Sequence, residues 1–201
     1  MQRTGRFRRI LLRSVLVLIA IAVVLVSFGW LERVRNGQEE YKVYSAYLSE
    51  GLLNDAHDWS IGGPVQVVIA DRTISGANLR FRLSSLFDRR VDFGELRTST
   101  RVSYFARNLF HTRIETKFSL PPRASACVTS GAEYGLPAFQ EKFPRNMGLV
   151  TLSGAGFNLS RTQAVFYINH FCGLCGGGRY VLMEKVNGAW RVKDEHYTWI
   201  S

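Results

Sequence analysis

The segment Ser14–Leu31 is the feature that most restricts the fold, because it contains 18 consecutive residues without a charged side chain. A helix on the surface of a globular domain shows a polar stripe, and this segment has none. With residues 10–13 included, the run has 22 residues. It extends about 33 Å at 1.5 Å per residue, which matches the roughly 30 Å hydrocarbon core of a bilayer. The sequence therefore predicts a transmembrane helix over residues 10–31.

The residues at the two ends of this segment suit a membrane interface. Arg13 has a long side chain that reaches toward lipid headgroups, and Trp30 is an aromatic residue of the kind enriched at interfaces. A cleaved signal peptide is the alternative, because Ser27 and Gly29 have the spacing of a cleavage site before Trp30. The apolar run is longer than the roughly 7–15 residues of a signal-peptide core. An uncleaved anchor is therefore favoured.

Basic residues predict the orientation of this helix. The first thirteen residues contain five arginines and no acid, whereas the other flank has Arg33, Arg35 and Lys42 among three glutamates. The flank that is richer in Lys and Arg stays in the cytoplasm. We therefore expect a basic cytoplasmic stub over residues 1–9, a single pass through the cell membrane, and a domain over residues 32–201 outside the cytoplasm. The lipid bilayer is the expected partner of residues 10–31.

The net charge of the chain, +10, divides between these two parts. Five of the 26 basic residues lie in the first thirteen positions, so 21 basic and all 16 acidic residues lie beyond them, which leaves +5 for the rest of the chain. A surplus of this size is typical of a solvated surface. Nucleic acid is not an expected partner outside the cytoplasm.

Hydrophobic periodicity divides the first half of the domain into helices and strands. Helical spacing covers Leu31–Leu53, Glu95–Phe110 and Leu136–Phe143, and strand patterns cover Val65–Ala70 and Ile114–Leu120.

The last fifty residues predict a four-stranded antiparallel meander. The predicted strands are Gly148–Phe157, Thr162–Phe171, Arg179–Val186 and Ala189–Ile200. Asn187-Gly188 separates the last two, and Asn-Gly is the strongest short-range signal of a type I′ hairpin turn. The predicted fold class is α+β: a transmembrane helix, then helices packed on a mostly antiparallel sheet that ends in this meander.

The segment from Gly156 to Val192 carries a distinctive pattern: GFN, then TQAVFYINHFCGLCGGGRY, then VLMEKVNGAWRV. It resembles the C-terminal signature of uncharacterised small bacterial membrane-anchored proteins. These share a glycine-rich turn with two cysteines between two strands and a final Lys-x-x-Gly-x-Trp hairpin. The resemblance covers residues 156–192 and implies a bacterial source and a similar domain. It implies no activity.

Cys172 and Cys175 form the main candidate site, and three interpretations are open. A structural disulfide across the glycine-rich turn is favoured, because disulfides persist in an oxidising exterior. A thiol–disulfide oxidoreductase has the same Cys-x-x-Cys spacing, but its reactive cysteine needs a helix N-terminus, and a strand pattern follows here. Cys127 is then the odd cysteine, either buried and free or joined to a second chain.

A metal site is the third interpretation. His170, Cys172 and Cys175 offer one imidazole and two thiols within six residues, and His196 or Cys127 could supply a fourth ligand. A convincing zinc module has a second paired cluster, which this sequence lacks.

The rest of the sequence carries no catalytic motif and indicates no cofactor. We therefore expect a membrane-tethered, extracytoplasmic binding or interaction domain, whose partner is an envelope protein or a small ligand. An envelope thiol–disulfide or metal-handling protein that uses Cys172 and Cys175 is the alternative function.

Overall fold

A computed structural model describes residues 3–54, 64–74, 93–130, 137–172 and 176–201. These residues form three α-helices, one π-helical turn and a seven-stranded sheet. The helices are α1 (Arg3–Tyr47), α2 (Thr98–Arg107) and α3 (Pro137–Lys142), and the π-helical turn Leu48–Leu52 continues α1. The strands are β1 (Val65–Ala70), β2 (Ala124–Thr129), β3 (Asn146–Leu152), β4 (Gly156–Phe157), β5 (Gln163–Phe171), β6 (Gly177–Val186) and β7 (Ala189–Ile200).

Helix α1 is one continuous element from Arg3 to Tyr47, so no break separates residues 10–31 from the domain. The chain has no proline before Pro64, and helical hydrogen bonding therefore continues past residue 31. Within the part of the chain that the structure describes, no helix is long and apolar enough to cross a membrane. The prediction of a transmembrane helix over residues 10–31 as an element of the fold is wrong.

The two parts of α1 differ in their surroundings. Among the side chains that the structure describes between residues 12 and 34, large apolar ones such as Leu16, Val24 and Trp30 are exposed. Beyond residue 36, the helix buries Tyr44 and Tyr47 in the core. The second half of α1 is thus a structural helix of the domain.

The sheet is mixed, with the strand order β2-β1-β3-β5-β6-β7, and β4 pairs with β5. Strand β1 is parallel to both β2 and β3, whereas β3, β5, β6 and β7 are antiparallel to their neighbours in turn. The chain passes through α2 between β1 and β2, and a crossover of this kind is what parallel neighbours require. The class is α+β, but the sheet is mixed, because β1 pairs in parallel with both β2 and β3, which the sequence did not predict.

The turn between β6 and β7 has the predicted geometry. Asn187 and Gly188 have φ angles of 50° and 82°, and Val186 pairs with Ala189 across the turn. Positive φ at both central residues defines a type I′ turn. The predicted Asn187-Gly188 hairpin is confirmed.

Both faces of the sheet are covered by apolar side chains. On β5, Phe166 and Ile168 belong to the cluster that includes α1, whereas Val165 and Tyr167 belong to a second cluster with Tyr104 of α2. Successive side chains of a strand point to opposite faces. A third cluster packs α3 on β1 and β3, through Phe139, Phe143, Val68 and Leu149.

One predicted strand is absent and one observed strand was not predicted. Residues 114–120 contain no strand, although Arg113 forms an isolated bridge with Arg72. The strand that pairs with β1 is instead Ala124–Thr129, beyond Pro121-Pro122. Because proline has no N–H to donate to a ladder, the Pro-Pro pair separates the two segments, and backbone pairing begins only after it.

Candidate functional site

The predicted cysteine site lies at the connection between β5 and β6. Cys172 directly follows β5, and β6 begins at Gly177, so the chain enters a strand after this turn. Cys175 lies outside the described residues. The predicted disulfide between Cys172 and Cys175 therefore stays a prediction, as does the oxidoreductase alternative.

The metal alternative includes His170, whose side chain already has a hydrogen-bond partner. His170 is on β5, and its Nε2 donates a hydrogen bond to the carbonyl of Met147 at 2.5 Å. Burial lowers the pKa of His170, the bond to Met147 opposes this shift, and Arg179 adds to it. The ring is therefore neutral near pH 7, and Nδ1 is the nitrogen with a lone pair.

The two expected fourth ligands lie elsewhere. Cys127 is a half-buried free thiol on β2, and β1 and β3 separate β2 from β5. His196 is on β7 and contacts the ring of Phe93. Within the described ranges, no three His, Cys, Asp or Glu residues form a group that could hold a metal ion. Because Cys175 is outside those ranges, the set His170, Cys172 and Cys175 stays a prediction.

A polar cleft of about 550 Å³ lies where the parallel strands β1 and β2 end. Asp71 and Ser130 follow these strands, and Arg113 and Glu115 form another side of the cleft. Ligands of α/β sheets often bind outside the carboxyl ends of parallel strands. Charges of both signs meet here, and Glu115 already pairs with Lys117 at 2.6 Å. The cleft therefore has no strong preference for one sign of charge.

A second concavity, of about 240 Å³, has a mostly apolar surface. We call it the α1–α2 pocket, because it lies between those two helices and the turn that connects β4 to β5. Its lining comprises Arg35 and Asn36 of α1, Thr98, Ser99, Val102 and Ser103 of α2, and Phe157, Asn158, Leu159 and Arg161 of the β4–β5 segment.

The β4–β5 turn is built around the side chain of Asn158, which is 3% exposed. Its Oδ1 accepts hydrogen bonds from the N–H groups of Thr162 and Gln163 at 2.8 and 3.1 Å. Its Nδ2 donates to Oγ of Ser160 at 3.1 Å and to Oγ1 of Thr162 at 3.0 Å. These four bonds hold the turn in one conformation and present Leu159, which is 73% exposed, at the pocket.

Gln163 positions the N-terminal end of α2 in the same way. Its Oε1 accepts hydrogen bonds from the N–H of Arg97 and from Oγ1 of Thr100, both at 2.9 Å. Its Nε2 donates to the carbonyl of Glu95 at 2.9 Å. These bonds attach the first turn of α2, which forms one wall of the pocket, to β5. Strand β5 directly follows the β4–β5 turn, which forms the opposite wall.

The inner wall is formed where β4 approaches α2. A Cβ atom at Gly156 would lie 2.3 Å from the backbone nitrogen of Tyr104, so only glycine allows this approach. The N–H of Phe157 donates to Oγ of Ser103 at 3.0 Å. Phe157 is 3% exposed and supplies a buried aromatic ring to the pocket.

Two charged residues are described in the lining of the pocket, and both are arginines. Arg35 donates a long hydrogen bond of 3.5 Å to the carbonyl of Leu159. Arg161 is half-buried, and its Nε is buried without a hydrogen-bond partner in the described part of the chain. The described residues that line the pocket include no acid. The pocket thus combines an apolar interior with positive charge.

The sequence did not predict this pocket. Its walls come from residues 35–36, 98–103 and 157–161, which are distant in sequence. The turn at Asn158–Arg161 is visible in the sequence, because Asn and Ser favour turns. Nothing in the sequence places Arg35 beside it, since that contact depends on the packing of α1.

No family model, no curated protein and no solved structure matches this chain. The resemblance of residues 156–192 to small bacterial membrane-anchored proteins therefore stays a prediction.

Proposed function

We propose that this chain is a binding domain and that the α1–α2 pocket is its ligand site. A mostly apolar concavity with a few convergent polar groups is the usual form of a small-molecule site. The observation that carries the proposal is the construction of this pocket. Asn158 and Gln163 are buried, and each uses both its side-chain oxygen and its side-chain nitrogen in hydrogen bonds that hold two of the pocket's walls in place.

The size and composition of the pocket suggest the kind of group it binds. Its volume of about 240 Å³ is below that of sites for drug-sized ligands, which are roughly 300–1,000 Å³. One alkyl chain or one ring is the expected occupant. Contact with Val102, Phe157 and Leu159 would remove apolar ligand surface from water, which stabilises the complex.

The polar cleft is a weaker candidate for the ligand site. It is wide, its lining carries both signs of charge, and Glu115 pairs with Lys117. The location of the domain outside the cytoplasm, an envelope protein as partner and the contact of residues 10–31 with a bilayer stay predictions from the sequence.

Calorimetric titration of the full chain with octan-1-ol tests the proposal. A non-ionic amphipathic polymer keeps the protein in solution, because α1 exposes apolar side chains. We expect saturable binding by the native chain and none by Val102→Trp, which fills the pocket.

Val186→Trp is the matched control. Val186 is 49% exposed and Val102 is 48% exposed, but Val186 lies at the end of β6 and does not line the pocket. If octan-1-ol gave the same heat of binding with Val102→Trp as with the native chain, it would bind outside the pocket. The proposal would then be wrong.

A further inference from the structure

We infer that the α1–α2 pocket binds a single-chain amphiphile with an anionic headgroup. This inference rests on the proposed function and adds the charge of the ligand. The alkyl chain would contact Val102 and Phe157, and the headgroup would lie at Arg35 and Arg161.

The first observation is the conformation of Arg161. Its φ angle is 54°, and a residue other than glycine is uncommon at positive φ. Such strain persists where the surrounding structure imposes it, and it is concentrated at binding sites. Here the Asn158 hydrogen bonds impose it, and the N–H of Arg161 donates to the carbonyl of Asn158 at 3.0 Å. The turn therefore holds a cationic side chain against the pocket.

The second observation is the unused hydrogen-bonding capacity of that side chain. The Nε of Arg161 is buried and has no acceptor among the described residues. A buried donor without a partner is destabilising. An anionic oxygen on a ligand would satisfy it with a charge-assisted hydrogen bond, which is about twice as strong as a neutral one.

The third observation is the balance of charge around the pocket. Arg35 is exposed on the opposite wall, and its only described bond within the pocket, to Leu159, is 3.5 Å long, which is weak. The first turn of α2 contains no acid, and the side chain of Arg97, the N-cap residue, makes no capping hydrogen bond. The N-terminal end of a helix carries partial positive charge. Arg35, Arg161 and the N-terminal end of α2 thus all favour an anionic ligand.

A comparison of three ligands with the same alkyl chain tests the charge. Octanoate, octan-1-ol and octylamine are titrated into the full chain in the same non-ionic polymer at pH 7, where the amine is a cation. We expect octanoate to bind about tenfold to hundredfold more tightly than octan-1-ol, as one or two charge-assisted hydrogen bonds would produce. Octylamine should bind most weakly.

Variants of Arg161 connect this preference to the residue. Arg161→Gln should reduce the affinity for octanoate to that for octan-1-ol, and Arg161→Lys should retain part of the preference because it retains the charge. Arg123→Gln is the control, because Arg123 is exposed immediately before β2 and does not line the pocket. Octyl phosphate is titrated in parallel. Whether it or octanoate binds more tightly identifies the headgroup, and either result supports the inference.

The possible failures are distinguishable. If none of the ligands binds, the proposed function is wrong. If octan-1-ol binds as tightly as octanoate, the pocket is a ligand site but the anionic preference is wrong. If the preference for octanoate survives in Arg161→Gln, Arg161 does not hold the headgroup and the inference is also wrong.

Discussion

Glu39 and Glu40 are neighbours on α1 with the same side chain, but they connect the helix to different parts of the domain. Glu40 is 5% exposed. Its Oε2 is 2.6 Å from Nη2 of Arg107, in α2, and its Oε1 accepts a hydrogen bond from the N–H of Ala155 at 2.8 Å. Burial lowers the pKa of Arg107, but Glu40 reverses this shift and raises that pKa above its ordinary value.

Glu39 connects α1 to the C-terminal hairpin at a more accessible position. Its Oε2 accepts hydrogen bonds from Nζ of Lys185 at 2.9 Å and from Nε1 of Trp190 at 3.0 Å, and its Oε1 accepts one from Lys42 at 2.7 Å. Burial acts to raise the pKa of Glu39, but these bonds outweigh it and lower the pKa from 4.5 to about 2.

The difference follows from the geometry of the helix. Successive residues of an α-helix point about 100° apart, so Glu39 faces the hairpin and Glu40 faces α2. A charge that loses its partner in the interior is far more destabilising than one that water can reach. Substitution of Glu39 and substitution of Glu40 should therefore lower the free energy of unfolding by unequal amounts, although the two side chains are the same.

The largest effect is expected for Glu40→Ala. This change leaves the guanidinium of Arg107 and the N–H of Ala155 buried without their acceptor. We expect the free energy of unfolding to fall by about 3–5 kcal/mol, measured by urea denaturation of the full chain.

The double variant Glu40→Met with Arg107→Met is the control for this effect. Replacing both members of a buried ion pair with apolar residues is often neutral. The double variant should therefore be more stable than Glu40→Met alone or Arg107→Met alone. If the three variants were equally unstable, the side-chain volumes and not the ion pair would explain the loss.

A smaller effect is expected for Gly188→Val, which acts on the hairpin that carries Lys185 and Trp190. Gly188 has a φ angle of 82°, and a β-branched residue there is strained by about 1–3 kcal/mol. The melting temperature should fall by more than that of Lys193→Ala. Equal melting temperatures would mean that the turn tolerates a side chain at positive φ.

Glu39→Gln should destabilise the domain less than Glu40→Ala or Gly188→Val does, by about 1 kcal/mol. The amide can still accept one hydrogen bond, and water reaches the site. Glu141→Gln, at an exposed position on α3, is the matched control. A loss as large as that of Glu40→Ala would contradict the difference between the two glutamates.

The smallest effect is a dependence of stability on pH. The pKa of Glu39 is lower in the folded state than in the unfolded state. Its contribution to stability is therefore complete above about pH 4.5 and is lost as the pH falls toward 2. Between these values the free energy of unfolding of the native chain should decrease more steeply than that of Glu39→Gln. Parallel curves would show that Glu39 is not the group responsible.

Several local elements could be predicted from the sequence because their signals lie within a few residues. The apolar run Val65–Ala70 is β1, and the helical spacing of residues 95–110 contains α2, at Thr98–Arg107. Strand β2 was missed, since Ala124–Thr129 consists of small residues with no clear alternation. It is a strand because β1 pairs with it along its whole length.

The local structure follows from the order of the amino acids alone: the turn at Asn187-Gly188, the strands on either side of it and the helical periodicity that leads into Tyr44 and Tyr47. Backbone preferences and the alternation of side chains act over a few residues, so they can be seen without a fold. The parallel pairing of β1, the contact of Glu40 with Arg107 and the α1–α2 pocket arise only when distant segments pack together. Glu40 and Arg107 are 67 residues apart, and what brings them together is the burial of one helix against another.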